Sequence, residues 1–369
     1  MKKILFIIAT LLVGASLYPT SGEAADTMAY SVKANIPENQ INKASTYFDL
    51  KMEPNQKQEI SLTVSNSSDN EATILISPNV AITNQNGVID YSQSKGKLDS
   101  SIKNPISSII SPAQEVVLGP KETKEVPFTL QMPEKEFNGL ILGGFYISKK
   151  EDANQAKDEE KDVQIKNQYS YVIGLQIREN TNEVKPVMEL HDIKPTLLNY
   201  RTAVTANLQN TQATIIQDLS VDAKVMKKGS TTILHETKKE NLSMAPNSNF
   251  DFPIGWDNQS LDAGKYTLQL VAKTGEDEWE FEKEFEITAK DSKELNDEAI
   301  ELEKSEANWL MIIGVIVGSL SLLISTVGYF LYRHNKKKAA EKRARLIRQR
   351  KRKKAQEMRK KRTIKHKPE

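Results

Sequence analysis

The chain has 369 residues, 51 basic and 49 acidic, for a formal charge of only +2, and it contains no cysteine. That excludes a disulfide framework and any thiolate chemistry. With the richness in Lys, Asn and Ile, it points away from an animal receptor and toward a Gram-positive bacterium, so the sequons at Asn66, Asn241 and Asn258 read as coincidence.

Lys2 and Lys3 precede an apolar stretch, Ile4 to Leu17, that is too short to span a bilayer with ease. Pro19, Gly22, Ala24 and Ala25 follow it. The pattern predicts a secretory signal peptide over residues 1–24, cleaved after Ala24. Between this segment and the C-terminal tail lie 30 basic and 45 acidic residues, a net −15. A surface of that sign is a poor partner for nucleic acid and favours basic ligands.

From Tyr30 to Ala289 the chain runs in short β-rich segments with alternate apolar residues, broken by Pro, Asn and Gly turns. Ile60, Leu62 and Val64 share one face, as do Val126, Phe128, Leu130 and Met132, and Tyr171, Ile173, Leu175 and Ile177. In the second half Leu219, Val221, Ala223 and Val225 alternate, then Phe250, Phe252, Ile254 and Trp256, then Tyr266, Leu268, Leu270 and Ala272. The fold class predicted is all-β: two tandem immunoglobulin-like antiparallel β-sandwiches over residues 25–178 and 183–290, plus one C-terminal transmembrane helix. The break is placed in Glu179 to Pro186. The polar segment Lys149 to Lys166 reads either as a long hairpin tip within the first sandwich or as the true linker.

Catalysis has little to build on. His191 and His235 are isolated, and no HExxH, no GxSxG elbow and no phosphate-cradling glycine loop occurs. No catalytic residue, metal ligand or cofactor is assigned, and the chain is read as not an enzyme. The strand Glu278 to Ile287 places Glu278, Glu280, Glu282, Glu284 and Glu286 on one face and Trp279, Phe281, Phe285 and Ile287 on the other. The glutamates form either a solvated sheet face that discourages edge pairing or an acidic strip for a basic ligand. Trp256 and Trp279 read as core residues.

Residues 291–308 read as an acidic, helix-compatible stalk leading to the membrane. The charge-free run Trp309 to Tyr332 has 24 residues, roughly 36 Å as a helix, enough to cross a hydrocarbon core of about 30 Å. Trp309, Tyr329 and Tyr332 would form its aromatic belt. Gly314 and Gly318 make a GxxxG step that would let two such helices approach. The tail, residues 333–369, holds 19 basic and 3 acidic residues, a net +16. That block predicts a single-pass type I protein of the cell membrane, tail in the cytoplasm against the anionic inner leaflet and ectodomain outside. No aromatics interleave the charges, which speaks against nucleic acid.

Three stretches taken together resemble the cell-surface WxL-interacting proteins of low-GC Gram-positive bacteria. The first holds YFDLKMEPNQKQEISLTVSNSSD, AITNQNGVIDY (Ala81 to Tyr91), VVLGPKETKEVPFTLQMP and GLILGGFYIS (Gly139 to Ser148). The second runs from YSYVIGLQI through MAPNSNFDFPI to LDAGKYTLQL, and the third is the span with its basic tail. The resemblance implies a peptidoglycan-binding first domain, a second domain that binds host ligands such as an extracellular-matrix protein, and WxL-domain surface proteins as partners. The chain has no Trp-x-Leu of its own and no LPxTG sorting motif. It therefore looks like the partner and anchor of a WxL protein. Asn84, Gly87, Asp90 and Tyr91 are motif residues and candidates for ligand binding, although Gly87 also suits the positive φ of an NQNG turn. Two rivals stand beside this reading: an extracytoplasmic chaperone or assembly scaffold acting by strand addition, and a wall-remodelling enzyme with converging carboxylates.

Overall fold

The computed structural model describes residues 28–93, 96–150, 169–300, 302 and 309–364, with side chains of the last helix described over 313–358. The predicted signal peptide, residues 151–168 of the polar segment, the distal stalk at 303–308 and the Trp309 side chain of the aromatic belt lie outside that description.

The first unit has two sheets around one core. Strands β1 (Tyr30–Asn35), β3 (Lys57–Asn66) and β8 (Thr123–Gln131) form one, in the order β1-β3-β8. The other contains β2 (Phe48–Lys51), β4 (Ala72–Val80), β7 (Gln114–Leu118), β9 (Ile141–Lys149) and β10 (Ser170–Arg178), in the order β2-β10-β9-β4-β7. Alternation along each strand sends one residue set inward. Leu62 and Val64 of β3, Phe128 and Leu130 of β8, Ile74 and Ile76 of β4, and Phe145 and Ile147 of β9 are all buried there. Phe145 lies 4.8 Å from Phe128 and 6.0 Å from Phe48, ring centre to ring centre, and ties the two sheets together.

One pairing departs from the antiparallel expectation. The four-residue β2 runs parallel to β10, with Phe48 beside Leu175 and Leu50 beside Ile177. Strands β9 and β10 pair antiparallel from Ile141–Ile177 to Ser148–Ser170, so the polar segment joins two neighbours of one sheet.

The second unit repeats the plan. Strands β11 (Met188–Leu198), β12 (Arg201–Asn210) and β15 (Ser248–Gly255) form a sheet in that order. Strands β13 (Ile216–Lys227), β14 (Ile233–Met244), β16 (Gly264–Thr274) and β17 (Asp277–Ile287) form the other, ordered β14-β13-β16-β17. Its core holds Leu208, Val221, Val225, Phe252, Leu268 and Leu270, with Trp256 buried between Tyr266 and the stacked ring of His235. The chain passes from one unit to the other between Arg178 and Met188.

The start of the acidic stretch is not a free stalk. Helix α1 (Ala289–Glu298) is capped by Thr288, whose hydroxyl accepts from the Asp291 N–H at 3.1 Å. Ser292 and Asn296 both donate to the Leu261 carbonyl, Asn296 accepts from the Leu261 N–H at 2.8 Å, and Leu295 packs on the second core. Helix α2 (Trp309–Ile364) is a separate body of 56 continuous residues. It is the one helix among the described residues long and apolar enough to cross a membrane.

Gly143 sits where β9 passes closest to the core wall. A Cβ there would stand 2.6 Å from Ile106 Cγ2 and 2.7 Å from the Asn79 carbonyl. Gly143→Ala should therefore destabilise the first unit by about 1–3 kcal/mol, read by chemical denaturation. Gly255→Ala, with nothing within 4 Å of its Cβ position, should change little.

Candidate functional site

The stretch Ala81 to Tyr91 folds as a two-stranded hairpin, β5 (Ile82–Thr83) and β6 (Ile89–Asp90), standing off the end of β4. Asn84 organises its turn. The Asn84 Oδ1 accepts from the N–H groups of Asn86 (2.9 Å) and Val88 (3.2 Å), and its carbonyl accepts from the Gly87 N–H. Gly87 takes φ +69°, the left-handed conformation that a side chain resists. Its missing Cβ also admits the second unit, because a Cβ there would meet Leu242 Cδ2 at 2.9 Å. The Ser243 N–H then donates to the Gly87 carbonyl at 2.7 Å.

The hairpin is thus the centre of a seam between the two units. Thr83 Oγ1 accepts from the Ala245 N–H at 3.0 Å and lies 2.6 Å from Ser248 Oγ, and both groups are buried. Ala81, Leu142 and Ala245 form a small apolar nucleus with Ile89, Tyr91, Leu140 and Ile215 around it. The Leu140 N–H donates to the Ala213 carbonyl at 2.7 Å. Neighbouring Gly139, at φ +94°, has no room for a Cβ against that same carbonyl. Asn247 donates to the carbonyl and hydroxyl of Ser101. Three of the stretches that carry the family resemblance, AITNQNGVIDY, GLILGGFYIS and MAPNSNFDFPI, meet here.

Asp99 reinforces the seam from the first unit. Its carboxylate accepts from the Ser101 N–H (2.8 Å) and hydroxyl (2.6 Å), from Gln209 Nε2 at 2.6 Å, and from Asn249 Nδ2. Partial burial pushes its pKa up, but these donors outweigh it and hold the pKa below the usual aspartate value. Gln209 also connects His191, whose Nε2 lies 2.5 Å from Gln209 Oε1. His235 is buried against Trp256, with Nδ1 3.0 Å from Asp257 Oδ2.

Two hollows flank the seam. One is a cleft of about 790 Å³ between the units, lined among others by Ser101, Asn104, Phe137, Asn138, Thr211 and Asn247. Beside it Glu179 is buried; its Oε2 accepts from the Phe137 N–H at 2.9 Å and its Oε1 has no hydrogen-bond partner among the described residues. The other hollow, about 470 Å³, is lined by Thr83, Asn84, Asn86, Asp90, Asn249 and Asp251. Of the four motif residues, Asn84 and Asp90 therefore face one hollow, Gly87 faces Leu242, and the Tyr91 ring packs against Gly144. A Cβ at Gly144 would come within 2.7 Å of Tyr91 Cδ1.

The glutamate strip occupies β17, an edge strand. Glu278 pairs with Lys273 at 2.8 Å and Glu284 with Lys228 at 2.6 Å, Glu282 accepts from Gln269 at 3.0 Å, and Glu286 stands opposite Lys265. Glu280 stands opposite Val271. All five are exposed. Gly314 and Gly318 lie on α2 with open space where a Cβ would go. No group of three or more His, Cys, Asp or Glu that could hold a metal occurs among the described residues.

Asp99, Gln209 and Ala213 carry no local mark in the sequence, since their partners lie far along the chain, Gln209 for Asp99 and Leu140 for Ala213. Asn247, Ser248 and Gly144 fall within the stretches MAPNSNFDFPI and GLILGGFYIS.

Residues 30–149 match the family profile of the WxL Interacting Protein, peptidoglycan binding domain, and residues 160–297 that of the WxL Interacting Protein, host binding domain. The second match begins before β10, which pairs into the first unit. No curated protein matches the chain. Among similar solved structures, a chain of the Salmonella enterica SafA pilin–SafB chaperone complex is 8% identical, with 72% of this chain and 99% of that chain covered at a TM-score of 0.26. The E. coli chaperone DraB is 14% identical, with 70% and 96% covered at a TM-score of 0.26. A chain of the Acinetobacter baumannii CsuC–CsuE complex is 12% identical, with 60% and 89% covered, also at 0.26.

The seam yields a pH signature. Asp99 has its pKa lowered on folding, so its contribution is complete above the unfolded value of about 3.9 and is lost as pH falls through the depressed folded value. Protection of the Ser243 and Ala245 amides from hydrogen exchange, relative to the unstructured rate at the same pH, should fall below about pH 4, and Asp99→Asn should lower it at neutral pH. Gly87→Val should do the same at every pH, while the Ala223 amide in the second core stays protected. Unchanged exchange at Ser243 in Gly87→Val would show that the hairpin does not hold the units together.

Proposed function

The chain belongs to the WxL-interacting protein family, and from that premise we propose a membrane-anchored surface protein that links WxL-type proteins or peptidoglycan to the membrane and presents a second domain to host ligands. The matched families are binding domains and not enzymes. The observation that carries the reading is their fixed union: a wall-binding and a host-binding domain sharing a buried polar and apolar seam, in one chain with a long apolar helix.

In this reading residues 1–24 are removed on export, both domains are immunoglobulin-like and lie outside, α2 crosses the membrane from Trp309, and the basic tail rests on the anionic inner leaflet at about 1 kcal/mol per nearby Lys or Arg. Specific attachment to an anionic wall by an ectodomain of net −15 must come from shape and hydrogen bonding. The hollow beside Asn84 and Asp90 is one place where a partner would gain such contacts. Gly314 and Gly318 would let two spans approach. Lys273 and Lys265, opposite Glu278 and Glu286, and Lys228, which reaches Glu284 from the end of β13, favour a solvated face over an acidic ligand strip, since three of the five charges already have a lysine nearby.

Protease added to wall-stripped cells should digest the ectodomain and spare an epitope on the tail. Full-length chain extracted in detergent should co-isolate a WxL-domain protein. Cleavage of the tail epitope from outside would overturn the orientation, and extraction without any WxL protein would remove it as the partner.

A further inference from the structure

The five-stranded sheet of the first unit has an outer face that its core does not use. Because Phe145 and Ile147 of β9 and Ile173 and Leu175 of β10 point inward, Gly144, Tyr146, Val172 and Gly174 point outward. Gly144 and Gly174 stand directly opposite each other on adjacent strands. Two facing glycines in the middle of a sheet leave bare backbone, about 4.8 Å from strand to strand. Tyr91 has taken one half of that floor by lying on Gly144. The other half is less crowded: a Cβ at Gly174 would make only ordinary contacts, with Tyr47 Cβ and Cδ2 at 3.8 Å and Cγ at 3.9 Å.

Aromatic side chains edge this floor. The parallel register of β2 sets Tyr47 beside Gly174. Tyr91 lies on the far side, and its pKa is pushed up, first by burial and then by the nearby Tyr47 phenol. In the next row Tyr146 stands between Ser77 and Val172. Tyr47 is 37% and Val172 47% exposed, and both are large for such exposure on a sheet face. The two rows carry no charge. The row beyond has Asp49 opposite Gln176, and its charge is cancelled by Arg178, which donates to Asp49 at 2.8 Å and to Gln176 at 3.1 Å.

We infer that this floor is a carbohydrate platform that seats a hexosamine ring of the peptidoglycan glycan strand on Gly174, between Tyr47 and Tyr91; the inference rests on the peptidoglycan reading of the first domain. Charge complementarity decides between the two parts of peptidoglycan. The sugar backbone is largely neutral, like this floor, whereas stem peptides carry ionised groups that would find no opposite charge here. An extended peptide also has no edge to add to, because β9 and β10 are paired on both sides. A pyranose ring presents C–H groups to aromatic faces and hydroxyl and acetamido groups to its rim, where Ser77 and Gln176 stand. The same face continues under the hairpin to the seam, so Tyr91 is shared between the platform and the seam's apolar nucleus.

The test is co-sedimentation of the detergent-solubilised full-length chain with purified, protein-free insoluble peptidoglycan. Tyr47→Ala should bind about tenfold more weakly, Tyr47→Phe should bind almost as wild type, and Gly174→Thr should lose binding by filling the floor. With the wild-type chain, soluble N-acetylglucosamine oligosaccharides should compete and free stem peptide should not, an outcome independent of whether a variant folds. Wild-type binding that survives Tyr47→Ala and Gly174→Thr, or that yields only to stem peptide, overturns the platform and leaves the peptidoglycan reading intact. A wild-type chain that fails to sediment overturns the reading itself, and the platform with it.

Discussion

A short turn held by Gly87 governs how the two units meet. At φ +69° the turn closes tightly enough for its own carbonyl to face the second unit, and the absent side chain leaves room for Leu242. Around it the seam uses Ala81, Ala245, Gly139 and Ala213, residues small enough for backbones to touch. Close approach buries polar groups, and each must find a partner or cost the structure about 1–3 kcal/mol. Thr83, Ser248 and Asn247 supply those partners from side chains. Linkers between domains usually permit rocking motion. Here buried hydrogen bonds, with directional geometry, oppose it.

Much of the fold is legible in the chain because period-two alternation is a local property. Leu62 and Val64, or Leu268 and Leu270, reveal their face without knowledge of any partner strand. The parallel strand β2 was not legible in the same way. FDLK is four residues long, and its partner β10 lies well over a hundred positions downstream, so neither its length nor its neighbours announce a parallel register. Docking of α1 was hidden for a related reason. A polar, acidic segment reads as solvated, yet its one useful apolar residue, Leu295, and its amide Asn296 reach Leu261.

The candidate site divides along the same line. Asn84 and Gly87 declare a turn, because the chemistry of an NQNG sequence is local. That the turn should face Leu242 and Ser243 depends on the packing of two whole units. Tyr91 looks like an ordinary motif aromatic until Gly144 is placed beside it: the second glycine of GGFYIS leaves the room that the tyrosine of VIDY occupies. The glutamates of β17 are the opposite case. Their alternation is conspicuous in the sequence, but Lys265 and Lys273 come from β16 and Lys228 from the turn after β13, so these lysines are invisible until the sheet is assembled.

The last helix raises a separate electrostatic question. Past its apolar part, α2 keeps helical form through Ile364 although positions such as Lys338 and Lys342, Arg348 and Arg352, and Arg350 and Lys354 fall four apart. Each like-charged pair at that spacing costs a helix a few tenths of a kcal/mol, and Glu341 and Glu357 are too few to offset them. Such a segment gains most beside a dense negative surface, where repulsion along the helix is replaced by attraction across the interface. On the proposed membrane reading, burial of the apolar stretch would carry the basic stretch to the headgroups, and its charge would resist passage through the hydrocarbon, where each Lys or Arg costs about 2.5–3.5 kcal/mol. In the proposed anchor, one continuous helix would thus combine two forces, with the apolar run setting depth and the basic run direction.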